Sequence, residues 1–490
     1  MTAAKPTPLS GFPELLPAER FVELRVLDSL RASFELHGFA PIETRAAEPL
    51  EQLLRKGEID KEVYLLRRLQ AGESAGADGA EDGSALGLHF DLTVPFARYV
   101  LENAGKLEFP FRRYQIQKVW RGERPQEGRY REFTQADIDV VARDVLPFHH
   151  DVEVARVMAE ALARLPVPAL KLQVNNRKLI EGFYLTIGIS NTTAVMRVID
   201  KIDKVPAGVL RSMLTDEAGI SGEQAELAIR FASLTTSDGG QLGFGISELV
   251  PGMKWHDLLG EGVAELRTVV DGCASLNSDR FTVVADLSIA RGLDYYTGTV
   301  FETRMAGFES LGSICSGGRY DSLASDGRTS YPGVGISLGV TRMLLPLFSR
   351  KKLTASRSVP SAVLVALPDE ESRATCDAIA AQLRANGIAT EVAAAAQRYG
   401  KQIRYAERRG IPFVWFPAGE DNPHEVKDIR TGEQQQADPA TWQPPAEDLR
   451  PQVVRPGAEP IEPEAEPVEP EAEPVEPEAG PVDPEAEPRA

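Results

Sequence analysis

Side chains alternate with period two along residues 133–140, so that mainly apolar positions share one face of a predicted strand and mainly polar positions share the other. The first face carries Thr134, Ala136, Ile138 and Val140, and the second carries Phe133, Gln135, Asp137 and Asp139. A strand-like run at 114–120 precedes this segment, and a polar loop that contains Gly and Pro joins the two. The pattern predicts an antiparallel hairpin with four arginines at or near its tip, namely Arg121, Arg124, Arg129 and Arg131.

Helical periodicity dominates two other parts of the chain. After Pro17, apolar residues recur at near-helical spacing and Gly38 provides a stop; they are Phe21, Leu24, Leu27, Leu30 and Phe34. Residues 151–276 are largely helical in pattern, with segments at 152–165, 192–205 and 221–234. A strand at 281–287, rich in β-branched residues, ends this region.

Strand and helix patterns alternate from residue 361 onwards. We expect strands at 362–367, 388–393, 411–416 and 425–429, and helices at 371–386 and 399–409. Such alternation predicts a small α/β domain with a partly parallel sheet. Lys401, Arg404 and Arg408 form a basic stripe beside Tyr405 on its second helix, an arrangement that is most often a solvated helix face.

The domain organisation follows from these patterns. A first domain at 1–350 contains the helical insertion at 151–276, a linker spans 351–360, and the α/β domain spans 361–445. Residues 446–490 are predicted to be a disordered acidic tail, because two prolines recur in each seven-residue repeat near the end of the chain. Small and acidic residues at 72–87 predict a mobile loop.

Charge and cysteine content restrict the function classes. The net charge of the 490 residues is -19, and 12 acidic residues against one basic residue place -11 of it in residues 456–490. Any nucleic-acid binding must therefore use local basic patches.

No apolar run approaches the roughly 20 residues of a membrane span and no signal core is present, so we expect a cytoplasmic protein without a membrane partner. The three cysteines are far apart, and neither they nor the six histidines have zinc-site spacing, so no zinc is expected.

The hairpin combines two kinds of charged group that suit different ligands. Guanidinium groups suit phosphates, while carboxylates suit an ammonium or an N–H-bearing ring, so the pair would fit a nucleoside triphosphate beside a small cationic or zwitterionic molecule. A surface hairpin of solvated ion pairs explains the charges equally well. Residues 333–345 predict a glycine-rich strand entering a helix, and Arg342 in its first turn indicates an anion nearby. Neither GxxxxGK[ST] nor GxGxxG is present.

Several strings resemble those of the histidyl-tRNA synthetases, which are class II aminoacyl-tRNA synthetases. WRGERPQEGRYREFTQADID resembles motif 2, with Trp120 where the family usually has Phe, and GVGISLGVTRMLL resembles motif 3. RGLDYYTGTVFE and SGGRYDSL resemble the two signatures of the family, and VKDIRTGEQ resembles its anticodon-binding domain. The resemblance implies an α+β catalytic domain with an antiparallel sheet and a helical insertion, followed by a C-terminal α/β anticodon-binding domain and a disordered tail.

The resemblance also implies roles for individual residues. Arg121, Arg129 and Arg342 would bind ATP, and Arg291 would lie over the α-phosphate and the substrate carboxylate as a catalytic residue together with Arg121. The histidine site would comprise Asp91, Thr93, Gln135, Asp139, Arg291, Tyr295, Tyr296 and Tyr320. Asp91 and Thr93 lie where a strand turns into a helix, a place where an acid is usually only a helix cap. The family often has Glu where this chain has Asp91 and Asp139.

The implied reaction is activation of L-histidine by ATP, accompanied by Mg²⁺, and transfer of histidine to tRNA(His). The helix predicted from Pro17, together with GFAPIET after it, resembles motif 1, which forms a dimer interface in class II synthetases, but Arg45 replaces its usual Pro. A homodimer is therefore implied by the family as a whole rather than by this motif. Two alternatives remain. The first is a catalytically silent paralogue that serves as the histidine-sensing regulatory subunit of ATP phosphoribosyltransferase, and the second is a tRNA-binding or sensor module.

Overall fold

A mixed, mainly antiparallel sheet forms the centre of the N-terminal domain in the computed structural model. The structure describes residues 6–54, 62–67, 85–290, 295–325, 327–419 and 422–456. Arg291, residues 72–84 of the predicted loop and residues 457–490 of the predicted tail lie outside the described residues.

The secondary structure of these residues comprises the following elements. The strands are β1 Ala40–Pro41, β2 Ala47–Pro49, β3 Leu65–Leu66, β4 Leu86–Leu88, β5 Phe111–Trp120, β6 Glu132–Val141, β7 Leu170–Asn176, β8 Thr235–Thr236, β9 Phe281–Asp286, β10 Thr299–Met305, β11 Cys315–Tyr320, β12 Gly333–Gly339, β13 Thr354–Ala355, β14 Val363–Val365, β15 Thr390–Val392, β16 Phe413–Phe416, β17 Glu425–Asp428, β18 Gln434–Gln436 and β19 Val453–Val454. The helices are α1 Pro17–Leu36, α2 Leu50–Leu53, α3 Thr93–Asn103, α4 His149–Ala163, α5 Arg177–Thr186, α6 Thr192–Ile199, α7 Ala207–Asp216, α8 Gly222–Ala232, α9 Gly239–Leu249, α10 Asp257–Cys273, α11 Val340–Ser349, α12 Arg373–Ala385 and α13 Tyr399–Arg409.

The central sheet has the strand order β1-β5-β6-β12-β11-β10-β7-β9-β8. The predicted hairpin is its second and third strand, and β5 and β6 pair antiparallel with Arg113 opposite Asp139. Strands β6, β12, β11, β10 and β7 continue the antiparallel pairing, while β1 with β5 and β7 with β9 are parallel. The antiparallel catalytic sheet expected from the sequence is therefore confirmed.

Helices α1, α4 and α11 cover the apolar face of the hairpin strands. Ala136, Ile138 and Val140 are fully buried there, as the alternation predicts. Helix α1 begins at Pro17 as expected, but Leu24 is exposed, because the helix buries a narrower stripe than its apolar spacing suggests. The opposite face of β6 is also buried, although it carries Gln135, Asp137 and Asp139.

The span predicted to be a helical insertion has mixed structure. Helix α4 packs on the central sheet and β7 pairs between β10 and β9, so these two elements belong to the central layer. The helices that follow, α5 to α10, include the closely packed pair α5 and α10. Glycines make this approach possible, because a Cβ at Gly182 would collide with the backbone of Leu259, and one at Gly262 would collide with the backbone of Leu179.

The C-terminal α/β domain has the strand order β15-β14-β16-β17-β18. The first three strands are parallel and the last two are antiparallel, so the predicted partly parallel sheet is confirmed. Helices α12 and α13 correspond to the two predicted helices. Within the described ranges, no helix is both long enough and apolar enough to span a bilayer.

The start of the predicted tail at residue 446 is too early. Strand β19 pairs antiparallel with β13, which lies inside the predicted linker. Arg455 donates hydrogen bonds to the carbonyl oxygens of Pro166 and Val167, both at 3.0 Å. Residues 446–456 are thus folded against the N-terminal domain, because tertiary partners that a local composition cannot reveal satisfy their backbone.

We expect Gly262→Ala to destabilise the N-terminal domain by about 2 kcal/mol or more, since the added methyl group forces α5 and α10 apart. Gly260→Ala is the matched control on the same helix, because nothing lies near its Cβ position. That control is expected to be neutral or to stabilise the helix by up to about 1 kcal/mol. Urea unfolding of both variants checks this, and equal effects would contradict the close packing.

Candidate active site

A cavity of about 1020 Å³ opens on the polar face of the central sheet. Eight of the residues singled out from the sequence line it: Asp91, Thr93, Arg121, Arg129, Gln135, Tyr295, Tyr296 and Arg342. They come from four separate segments of the chain, which the sheet brings to one place: residues 91–93, the β5–β6 hairpin, residues 295–296 and the first turn of α11. Arg291 was predicted for the same site and lies outside the described residues.

Cross-strand pairing builds the floor of the cavity. Directly opposed residues of antiparallel strands share a face, so Asp137 of β6 lies beside Ser337 of β12, which lies beside Ser316 of β11. Gln135 donates a hydrogen bond from Nε2 to the Ser337 hydroxyl at 2.8 Å. The Thr134 backbone N–H donates to the Thr341 hydroxyl at 2.8 Å, which joins β6 to the first turn of α11. These hydrogen bonds fix the positions of β6, β12 and the helix that carries Arg342 relative to one another.

Backbone carbonyl oxygens, an aromatic ring and the Glu123 carboxylate hold the arginines at the cavity wall. Arg121 donates from Nε to the Phe90 carbonyl oxygen at 3.0 Å, and its guanidinium lies 5.1 Å from the centroid of the Phe133 ring. Arg342 donates to the Leu311 carbonyl oxygen. Arg129 is half exposed and lies 3.4 Å from the Glu123 carboxylate. The cavity therefore presents fixed positive charge on one side, as phosphate binding requires.

Asp91 serves both as a helix cap and as part of the cavity wall. Its Oδ1 accepts a hydrogen bond from the backbone N–H of Val94 at 3.1 Å, at the start of α3. Asp91 therefore caps helix α3 and lines the cavity at the same time, so both interpretations of this acid apply. The Tyr295 ring lies 4.2 Å from the Tyr296 ring and 6.0 Å from the Tyr320 ring, centroid to centroid, so an aromatic wall faces the acid side.

Asp139 and Tyr320 lie behind the wall of this cavity rather than among its lining residues in the described part of the chain. The Tyr320 hydroxyl donates to Asp139 Oδ1 at 2.8 Å. Arg113, which the sequence reasoning missed, lies on β5 with its Nη2 2.6 Å from Asp139 Oδ2. The signal that could have identified it is the hairpin register, which places Arg113 opposite Asp139.

Burial makes Asp137 an unusual acid. Its pKa is raised to about 7, mainly by loss of hydration. The Arg113 guanidinium and a hydrogen bond from Ser337 lower this pKa, whereas the nearby Asp139 and Asp91 carboxylates raise it. Burial also raises the pKa values of the Tyr295 and Tyr320 hydroxyls, so both remain protonated donors. The acid side of the site is negative and poorly hydrated, which favours a cationic ligand.

The sequence analysis assigned no role to several other residues that line the cavity. Glu302 of β10 is buried in the cavity wall, where it lies opposite Ser316 of β11, and Tyr130 and Phe133 of the hairpin contribute aromatic surface. Period-two alternation along 299–305 could have identified Glu302, since it puts Glu302 on the same face as Val300.

The basic stripe of α13 borders a second cavity, of about 430 Å³, in the C-terminal domain. Lys401, Arg404, Tyr405 and Arg408 line it together with residues 393–395. The stripe is therefore the edge of a groove rather than a uniformly solvated helix face, and a positive groove beside an aromatic ring suits a polyanion that carries planar groups.

Asp137→Asn should stabilise the protein increasingly as pH rises from 5 to 7.5. The native state of the parent chain holds a proton on Asp137 up to a pKa of about 7, whereas the unfolded carboxyl loses it near 3.8, so stability is lost as pH rises between these values. The Asn side chain does not titrate, so the variant does not lose this stability. The free energy of unfolding of the variant minus that of the parent should therefore grow by about 1 kcal/mol or more between pH 5 and 7.5. Urea unfolding at several pH values measures it, with Asp279→Asn, an exposed carboxylate, as the control. A pH-independent difference would contradict the buried proton.

Comparison with known proteins places this site in a family. A family model described as Histidyl-tRNA synthetase matches residues 11–343, and one described as Anticodon binding domain matches residues 361–440. The chain is 58% identical to the histidine–tRNA ligase of Micrococcus luteus, over 91% of this chain and 98% of that protein. It is 56% identical to the enzyme of the same name from Cutibacterium acnes, over 92% and 99% of the two chains.

Solved structures agree with this placement. The crystal structure of histidyl-tRNA synthetase from Nostoc sp. superposes with a TM-score of 0.76 at 34% identity, covering 88% of this chain and 96% of that one. A Bacillus halodurans structure, described as an ATP phosphoribosyltransferase regulatory subunit/histidyl-tRNA synthetase, has a TM-score of 0.65 at 20% identity over 82% and 97% of the chains, which shows a common fold alone. From the family match over most of the chain, together with relatives above 50% identity, it follows that the chain belongs to the histidyl-tRNA synthetase family.

Proposed function

We propose that the 1020 Å³ cavity activates L-histidine with ATP, with the arginine side binding the nucleotide and the acid side binding the amino acid. As a member of its family the chain is an ATP-dependent aminoacyl-tRNA ligase for histidine. One observation supports the binding of both substrates in this cavity: Arg121 and Arg342 line the same cavity as Asp91 and Gln135. Its volume is large enough for both substrates.

The chemistry requires fixed positive charge and alignment. The histidine carboxylate attacks the α-phosphorus of ATP, the bond to pyrophosphate breaks, and histidyl-adenylate forms. Arg121 would stabilise charge on the α-phosphate and Arg342 on the terminal phosphate, and Arg129 would support the nucleotide. The catalytic role of Arg291 stays a prediction from sequence.

Mg²⁺ would enter with ATP. The carboxylates of Glu123 and Glu302 in the cavity wall are oxygen donors of the kind that this ion prefers.

Histidine recognition depends on acceptors for the ammonium group and on partners for both ring nitrogens. Asp91, Thr93 and Gln135 would accept from the ammonium group, and Asp139 and Tyr296 would contact the imidazole, with Tyr295 and Tyr320 closing the pocket. Sites built from buried polar partners reject ligands that lack the matching groups, by factors of about 10⁴ or more. The negative, poorly hydrated acid side is consistent with this assignment.

The remaining partners follow from the second groove and the family. We propose that the groove bordered by Lys401, Arg404 and Arg408 holds the anticodon of tRNA(His), while the 3′ end of that tRNA accepts histidine at the first cavity. A homodimer and a cytoplasmic location belong to the same proposal. The regulatory-subunit alternative is weaker, because relatives named histidine–tRNA ligase match more than 90% of the chain, including its C-terminal domain.

The enzyme should catalyse histidine-dependent exchange of labelled pyrophosphate into ATP without tRNA, because adenylate formation is a complete and reversible step. Omission of histidine, or its replacement by other amino acids, is the control. Histidine binding without any exchange would contradict the proposed active site and favour a sensing role.

Single substitutions should separate the two halves of the cavity. Arg342→Ala should raise KM for ATP about tenfold or more, with KM for histidine nearly unchanged, since a charge-assisted bond to phosphate is lost. Gln135→Leu should raise KM for histidine about tenfold and leave that for ATP nearly unchanged. Exchange kinetics measure both, with Arg350→Ala, on a half-exposed arginine paired with Glu127, as the control. Parallel rises in both constants would mean that these residues are structural.

A further inference from the structure

Arg113 is an arginine with no solvent exposure at all, and it lies directly behind the acid side of the cavity. It is opposite Asp139 in the β5–β6 register, and its guanidinium approaches the Asp139 carboxylate to 2.6 Å. The guanidinium also lies 4.3 Å from the centroid of the Phe96 ring on α3, the helix whose first residue, Thr93, lines the cavity. Removing one partner of such a buried pair leaves the other charge uncompensated.

The two oxygens of Asp139 are held from two sides. Tyr320 donates to Oδ1 and Arg113 approaches Oδ2, while Gly335 on the third side has no side chain, and a Cβ there would collide with the carboxylate. A hydroxyl donor at one oxygen and a guanidinium beside the other fix the orientation of the carboxylate plane.

Arg113 also opposes a concentration of acidic groups. Elements packed around it contribute the following ionisable side chains: Asp137 and Asp139 of β6, Tyr320 of β11, Tyr295 beside the cavity and Asp91 before α3. Asp139 and Asp91 raise the pKa of Asp137 and Arg113 lowers it, so the carboxylates repel one another and the Arg113 guanidinium counters that repulsion.

We propose that Arg113 is a positioning residue for histidine recognition: it holds Asp139 ionised and correctly oriented, so that this carboxylate accepts an N–H of the substrate imidazole. The inference rests on the proposed function, which assigns Asp139 to the ring. Arg113 acts through Asp139 and does not touch the substrate. The short side chain of Asp139 keeps its carboxylate close to β6, within reach of an arginine on the neighbouring strand.

Arg113→Met tests this in the full chain. KM for histidine in pyrophosphate exchange should rise about tenfold or more, while KM for ATP stays within about twofold. The rise should diminish as pH increases from 6.5 to 9, because without the guanidinium the buried carboxylate ionises only at higher pH. Arg112→Met is the matched control: the adjacent arginine lies on the other face of β5 and pairs with Glu153 at 2.7 Å, so neither constant should change.

A second comparison separates positioning from general structural support. In an Asp139→Asn background, adding Arg113→Met should change KM for histidine by less than about twofold, because a residue that acts through Asp139 has nothing left to position. Arg113→Lys, which retains the charge without the planar fork, should fold even where the Met variant does not, and should give a smaller rise in KM that is independent of pH.

Outcomes that overturn the inference are distinct from failure of the proposed function. If the parent chain exchanges pyrophosphate with histidine but Arg113→Met raises both KM values equally, or acts additively with Asp139→Asn, Arg113 is only a structural residue. If the Lys variant matches the parent at every pH, the fork is not needed and the proposed orientation is wrong. If the parent shows no histidine-dependent exchange, the proposed function fails first, whatever Arg113 does.

Discussion

The register of β5, β6 and β12 is the constraint on which the candidate active site depends. Arg113, Asp139 and Gly335 form one row across these strands, and Gln135, opposite Gly339, lies four residues before Asp139 on β6. A slip of one residue would turn every side chain of β6 to the other face, exchanging buried carboxylates for Ile138 and its apolar neighbours. The pairing therefore creates the hydrophobic core and the acid side of the cavity at the same time.

Burial of these polar side chains lowers the stability of the fold and at the same time favours ligand binding. Asp137 holds its proton up to a pKa of about 7, since it is removed from water and lies beside other carboxylates. Arg113 supplies the opposing charge, and Tyr320 supplies a protonated hydroxyl. A cationic ligand adds further positive charge where the protein has left an excess of negative charge, so the same groups that reduce stability favour binding.

Strand pairing and arginine hydrogen bonds connect the N-terminal and C-terminal domains. Strand β13 pairs with β19, and Arg455 bonds to the carbonyl oxygens of Pro166 and Val167, so the chain returns to the first domain after completing the second. Arg357 adds a buried link between the linker and the end of the second domain, since it donates to the Asp448 carbonyl oxygen at 2.9 Å. Residues 446–456 therefore fasten the end of the second domain to the first.

The sequence by itself determined the elements that depend on contacts between residues close together in the chain. Period-two alternation and its polar loop were enough to predict the β5–β6 hairpin, and alternating strands and helices were enough for the C-terminal domain. The resemblance to one family indicated eight of the residues that line the cavity. Features that arise from contacts distant in sequence were decided only by the tertiary structure. Strand β7 joins the central sheet through partners more than 100 residues away, Leu24 is exposed because of how α1 docks, and Asp139 is turned toward Arg113 and Tyr320 behind the cavity wall. A sequence pattern reflects the secondary-structure preferences of neighbouring residues. The pairing of β7, the exposure of Leu24 and the orientation of Asp139 depend instead on which surfaces, distant in sequence, pack together and are removed from water.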